Sequence, residues 1–116
     1  MAKKFDFSKV VGFEWDKGNK EKNVLKHKVR NSETEEIFFN DPIIMPDRTH
    51  SVKEERYFAF GITDKKRQLI ISFTLRGKNK EIIRPIISRD QNKKERTYYT
   101  DEKLKREVKR KNEKTK

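Results

Sequence analysis

Leu69–Tyr99 reads LIISFTLRGKNKEIIRPIISRDQNKKERTYY. In its first part Leu69, Ile71, Phe73 and Leu75 alternate with Ile70, Ser72 and Thr74, the period of a strand whose two faces differ. Gly77–Lys80 supplies turn residues, and a second apolar run, Glu81–Ser88, follows. Pro85 lies inside that second run; because proline cannot donate to a ladder, it predicts an edge strand or a bulge, and a bulge would re-aim Arg84 beside it. From about Asn92 the pattern becomes helical, with a thin apolar stripe of Tyr98 or Tyr99, Leu104 and Val108. Arg76 and Arg89 close the two apolar runs. Guanidinium groups held at the edge of a rigid sheet suit a phosphate better than an apolar ligand.

Working outward, Arg56–Thr63 predicts another strand, with Tyr57, Ala59 and Gly61 on one face and Phe58, Phe60 and Ile62 on the other. The connection Asp64–Arg67 is short enough to make it an antiparallel neighbour of the Leu69 strand. Ile43–Met45 is a brief strand stopped by Pro46-Asp47, and residues 47–55 form a polar loop containing His50. Ser32-Glu33-Thr34-Glu35 has the form of a capping box. The short helix it opens turns Ile37, Phe38 and Phe39 inward and ends at Asn40-Asp41-Pro42. Phe13–Trp15 is a strand, Asp16 stands where a helix cap would, and a helix over Asp16–Lys28 places Asn19, Asn23 and His27 on one face. His27 is then explained by the helix dipole at a C-terminus.

The order is β-α-α-β-β-β-β-α. It predicts an α+β domain, residues 12–108: an antiparallel sheet of four to five strands with two N-terminal helices and one C-terminal helix. Residues 1–11 read as a poorly ordered leader in which Phe5, Phe7 and Val10 are the candidates to pack. Residues 109–116, KRKNEKTK, carry five basic residues against one glutamate and read as a disordered basic tail that adds non-specific RNA affinity.

At 116 residues the chain has room for one modest core. With 31 Lys and Arg against 19 Asp and Glu, its formal net charge is +12, which favours an anionic partner such as nucleic acid or an acidic protein. There is no cysteine, so disulfides and thiolate metal sites are excluded. The start, MAKKFDFSKVVGFEW, lacks the apolar run of a signal peptide, and no segment approaches the roughly 18 apolar residues of a membrane span. The expected compartment is the cytoplasm, with no membrane partner.

Several motifs in order resemble the BrnT family of bacterial type II toxins. These are FEWD at Phe13–Asp16, N-x-x-K-H-x-V at Asn23, Lys26, His27 and Val29, and Glu36-Ile37-Phe38 before Asp41-Pro42. Then come D-x-x-H-S at Asp47, His50 and Ser51, Glu55-Arg56, Gly61-x-Thr63, F-T-x-R at Phe73–Arg76, I-R-P-I at Ile83–Ile86 and E-R-x-x-Y from Glu95. The resemblance spans residues 13 to about 99. It implies a RelE-like fold and an endoribonuclease that cleaves RNA and inhibits translation and growth. It also implies neutralisation by a BrnA-type antitoxin, in a heterotetramer of two toxins and two antitoxins that meets DNA only through the antitoxin. The pattern departs at two places: Lys28, after His27, replaces a common glycine, which leaves the helix end less sharply defined, and Ile87 stands where the family has serine and Ser88 where it has alanine. A serine contact to RNA would thereby move to the opposite face of the sheet.

The residues themselves carry no H-E-x-x-H or C-x-x-C metal spacing, no phosphate-cradling glycine loop and no paired histidines. No cofactor is expected. What remains is arginine-rich electrostatics. The RNA cleavage that the resemblance implies can proceed without a metal, by attack of the 2′-hydroxyl on its own phosphate while cations stabilise the added charge. The candidate catalytic residues are Arg76 and Arg89 on one scissile phosphate, Arg84 in support, and His50 as general base or acid. Tyr98, Tyr99, Lys26 and Ser88 are the candidate substrate-binding residues. A catalytically silent RNA- or antitoxin-binding module of the same fold is the alternative.

Overall fold

Gln68–Arg76, here β4, is flanked by strands on both sides in a computed structural model that describes residues 7–114. The other strands are Gly12–Phe13 (β1), Ile43–Asp47 (β2), Arg56–Ile62 (β3) and Ile82–Asp90 (β5), and the sheet order is β1-β5-β4-β3-β2. Helices Lys22–His27 (α1) and Asn31–Phe39 (α2) precede the meander, and Lys93–Lys114 (α3) follows it. The chain is thus α+β with a five-stranded sheet. The sheet is mixed, which corrects the antiparallel expectation: β2 to β5 run antiparallel, but β1 pairs with β5 in parallel, Gly12 opposite Ile82 and Phe13 opposite Ile83. No helix among the described residues is long and apolar enough to cross a membrane.

The alternation seen in the sequence becomes two apolar layers. Val29, Ile37, Phe38, Ala59, Leu69, Ile71, Phe73 and Ile83 form the larger one beneath α2, with Phe7, Val10 and Phe13 packed against it. Phe5 lies outside the described residues. Gly61 permits the close approach of α2, since a Cβ there would stand 2.9 Å from the Cβ of Ile37. On the other face Ile43, Phe60, Ile70 and Tyr99 form a smaller layer under the start of α3.

β1 pairs with β5 only at Ile82 and Ile83, so Pro85 lies past the end of that short strand, and the ladder to β4 carries a bulge beside it. The ladder pairs Ser72 with Ile87 but Phe73 with Pro85, leaving Ile86 unopposed. The carbonyls freed there are used: Asn19 Nδ2 donates to the Pro85 carbonyl at 2.7 Å and to the Glu14 carbonyl at 2.9 Å, and Asn23 Nδ2 reaches Ile86 at 3.4 Å. That clamp explains why α1 starts at Lys22 and not at Asp16. Asn19 is committed to the sheet, while Asp16 accepts from Gly18 N at 2.8 Å in a turn.

Other boundaries also move. β2 runs through Pro46 and Asp47, which an edge strand tolerates. α2 starts at Asn31, with Glu33 accepting from the Arg30 N–H at 3.0 Å; Glu35, the acid of the expected box, instead accepts from Trp15 Nε1 at 2.7 Å. Phe39 is 78% exposed, not inward. α3 continues through the basic segment to Lys114, and its predicted stripe packs only at Tyr98 and Tyr99, because Leu104 and Val108 are exposed. Asp41 ties the outer turns of α3 to the start of β2, bonding Lys103 at 3.1 Å and Arg106 and Arg110 at 3.0 Å. Burial pushes its carboxyl up, but these three cations outweigh burial and hold it below its ordinary value.

Candidate functional site

α3 covers only part of its face of the sheet, packing on β2 and β3. The uncovered part holds two adjoining clefts. The first, about 250 Å³, is lined by Asp47, His50, Arg56, Phe58, Ile70, Ser72, Ile87 and Arg89. The second, about 210 Å³, is lined by Glu54, Arg56, Arg76, Arg84 and residues of the Gly18–Lys22 turn, with the bulge at Pro85 and Ile86.

The D-x-x-H-S motif builds one wall of the first cleft. Asp47, 5% exposed at the end of β2, accepts from His50 Nδ1 at 2.9 Å and from the His50 backbone N–H at 3.3 Å. A carboxylate only accepts, so Nδ1 carries a proton, and in the neutral imidazole the Nε2 lone pair is the one offered to a ligand. Ser51 Oγ donates to the Asp47 carbonyl at 2.6 Å and accepts from the Arg56 N–H at 2.9 Å. The motif therefore ties His50 to the first residue of β3.

Arg89 enters from β5, opposite Ile70. Glu95 grips it with two bonds, 2.7 and 2.8 Å, and also accepts from the Asn92 N–H at 2.8 Å, while Asn92 Oδ1 caps the Glu95 N–H at 2.9 Å. One carboxylate thus starts α3 and orients the arginine. The Arg89 hydrogen bonds, more than any other cause, hold the Glu95 carboxyl below its ordinary value and push the guanidinium up.

The sequence reading placed Arg76 and Arg89 on one phosphate, but the register separates them. The partner of Arg89 is Ile70, six positions before Arg76 on β4, which is about 20 Å at the usual strand rise. They lie in different clefts: Arg89 joins His50, and Arg76 joins Arg84. Arg76 pairs with Glu54 at 3.0 Å, while Arg84 bonds Glu14 and Asp16 at 2.8 Å.

The candidate substrate contacts also divide. Tyr98 is half-buried with its ring 5.0 Å from Phe60, packed on the smaller apolar layer and lining neither cleft. Tyr99 is 5% exposed in the core, so it packs and does not stack on a base. Ser88 is fully buried on the far face, where its Oγ accepts from Thr34 Oγ1 of α2 at 2.8 Å, and it offers no hydroxyl to the clefts. Ile87, one residue earlier, lines the first cleft. Lys26 stands exposed on α1, outside both clefts. Arg56, Asp47 and Glu95 are site residues that the sequence reading named in motifs but not as catalytic or substrate-binding candidates; the three-residue spacing of Asp47 and His50 was the available signal for one of them.

Among the described residues no group of three or more His, Cys, Asp or Glu is placed to hold a metal ion. The open face instead offers one oriented imidazole and several fixed guanidinium groups, a set suited to a phosphodiester. No curated protein matches the chain closely enough to count as a relative. Residues 15–95, well over half the chain, match the family described as "Ribonuclease toxin, BrnT, of type II toxin-antitoxin system". The chain therefore belongs to the BrnT family of ribonuclease toxins of type II toxin-antitoxin systems.

Proposed function

We propose that the chain is an endoribonuclease that cleaves RNA in the first cleft without a metal ion, and so inhibits translation and growth. The observation that carries this reading is the His50–Asp47 pair, 2.9 Å apart, in the same cleft as Arg89 and Arg56. In this mechanism Nε2 of His50 takes the proton of a ribose 2′-hydroxyl, whose oxygen attacks the adjacent phosphorus. Arg89, oriented by Glu95, stabilises the extra negative charge on the phosphoryl oxygens as the P–O5′ bond breaks; a 2′,3′-cyclic phosphate remains and the departing 5′-oxygen takes a proton from water. Arg76 and Arg84 act on the strand beyond the scissile phosphate. Tyr98 is the tyrosine available to a base. Metal independence is supported by the donor set of the cleft, one carboxylate, one imidazole and arginines.

Family membership implies an antitoxin. We propose a BrnA-type partner, acidic where it covers the arginine face, which bridges two toxins into a heterotetramer and makes the DNA contacts itself. The proposed setting is the cytoplasm and the proposed arrangement RelE-like. The test is to induce the chain in cells without its antitoxin and follow growth and bulk RNA. Growth arrest with RNA cleavage, relieved by His50→Ala or Arg89→Ala, is the expected result. Normal growth and intact RNA in the presence of well-folded protein would sink the enzymatic reading.

A second reading, a module that binds RNA or antitoxin without cleaving, is favoured by one observation: apolar Ile87 occupies the cleft floor where the resemblance expects a serine hydroxyl. In that case arginine substitutions change RNA affinity and its salt slope while RNA stays intact.

A further inference from the structure

We propose that Arg56 is a phosphate ligand shared by the two clefts, which together take one single RNA strand through at least two backbone phosphates. The inference rests on the reading of the open face as an RNA site.

The arginines of that face are not equivalent. Arg76, Arg84 and Arg89 each carry a carboxylate of the chain itself, at 2.7 to 3.0 Å. Each pair is close to neutral when seen from a distance, so its pull on an approaching anion is small. Arg56 has no hydrogen bond or ion pair to its guanidinium among the described residues, and it is the arginine that lines both clefts. Its position is nevertheless fixed. It opens β3 opposite Thr74, and its N–H is held by Ser51 Oγ at 2.9 Å. A half-buried arginine whose guanidinium has no partner among the described residues, on a backbone fixed in the sheet, carries a fork whose binding capacity is unspent.

Geometry then selects the form of RNA. Clefts of about 250 and 210 Å³ admit nucleotide-sized groups and not a duplex. The floor of the first includes Phe58, Ile70 and Ile87, an apolar surface that suits the face of an unpaired base. The second is lined by Arg76, Arg84 and Lys22, which suits backbone alone. Arg56 stands where the strand passes from one to the other.

The experiment uses a short single-stranded RNA methylated at every 2′-oxygen, which binds without being cleaved. Its affinity is measured against salt for the full chain and for Arg56→Gln, Arg56→Lys and Lys65→Gln. Arg56→Gln is expected to weaken binding about tenfold and to lower the slope of log K against log salt by about 0.7, the single-strand value for one phosphate. Arg56→Lys keeps the slope and loses part of the affinity, because one charge remains but the fork does not. Lys65→Gln removes the same charge from the β3–β4 connection and leaves the slope unchanged. A slope for Arg56→Gln equal to that of Lys65→Gln overturns the proposal, as does equal affinity for a methylated duplex. The outcome is separable from that of the catalytic reading. If His50→Ala and Arg89→Ala still cleave RNA while Arg56→Gln loses the probe, the catalytic assignment falls and this one stands; if those two variants are inactive and Arg56→Gln binds normally, the reverse holds.

Discussion

The two faces of β4 are written by alternate residues of one strand and have opposite characters. Leu69, Ile71 and Phe73 point beneath α2 and are fully buried. Ile70 and Ser72, on the other side, border a cleft shared with His50, Arg56 and Arg89. On the closed face, complementarity of shape does the holding, as where Gly61 admits Ile37. On the open face, polar groups fix one another and leave others exposed for a ligand. The contrast teaches that stability and function are divided here by the two-residue period of a strand, not by separate parts of the chain.

The largest expected effect lies on the closed face. Phe73 sits 5.1 Å from the ring of Phe38 and 5.5 Å from that of Tyr57. Phe73→Ala should cost about 3–5 kcal/mol in denaturant unfolding, and a loss below about 1 kcal/mol would break the assignment of stability to this face. Next comes Arg89→Ala, with a roughly hundredfold fall in RNA cleavage, equivalent to about 2.7 kcal/mol of transition-state stabilisation. His50→Ala should match it in rate yet lower the melting temperature only slightly, because the imidazole is 61% exposed and what is lost is its one bond to the buried Asp47 carboxylate. A large shift in melting temperature would mean that the two faces are not separable.

Glu95→Gln sharpens the boundary, since Glu95 serves both helix and site. The Arg89 hydrogen bonds hold its folded carboxyl below the ordinary 4.5. A depressed carboxylate contributes stability that is complete above the unfolded value and is lost as pH falls through the folded one. Glu95→Gln should therefore cost about 1 kcal/mol at neutral pH, after discounting for the exposure of Arg89, and the difference from the unmodified chain should vanish at the acid end. A difference that persists there would assign the cost to the helix cap alone. The smallest effect is that of Ile87→Ser. At 36% exposure, Ile87 should change stability by no more than about 1 kcal/mol. A few-fold rise in cleavage would identify the cleft floor as a limit on activity, whereas an unchanged rate would remove it from the site.

Most of the meander was legible because its signals are local. Alternation in β3 and β4, the short connections and the Pro85 bulge all follow from neighbouring residues. The separation of Ile87 from Ser88 onto opposite faces followed from the same period. The parallel pairing of β1 was not legible, since two residues give no period and their partner is far along the chain. The start of α1 was misplaced because Asn19 serves the Pro85 carbonyl, a tertiary demand that outweighs helix extension. In the candidate site, residue types were readable but company was not. Arg76 and Arg89 look equivalent at the ends of two runs, and only the register shows them to be far apart. Arg56 was read as part of a motif and not as a site residue, because its distinction is the lack of a guanidinium partner among the described residues, which no sequence displays.

The parallel pair of Gly12–Phe13 with Ile82–Ile83 has a consequence for the order of events during synthesis. Gly12 waits for a partner seventy positions further on. β3, β4 and β5 need only short hairpin closures, which are fast, whereas β1 must close a long loop. Translation delivers β1 first but cannot seat it until β5 has emerged. Arg89 and its Glu95 clamp emerge later still. A chain broken off before β5 thus has neither a seated β1 nor its first cleft, and the fold withholds the complete site until Glu95 has emerged.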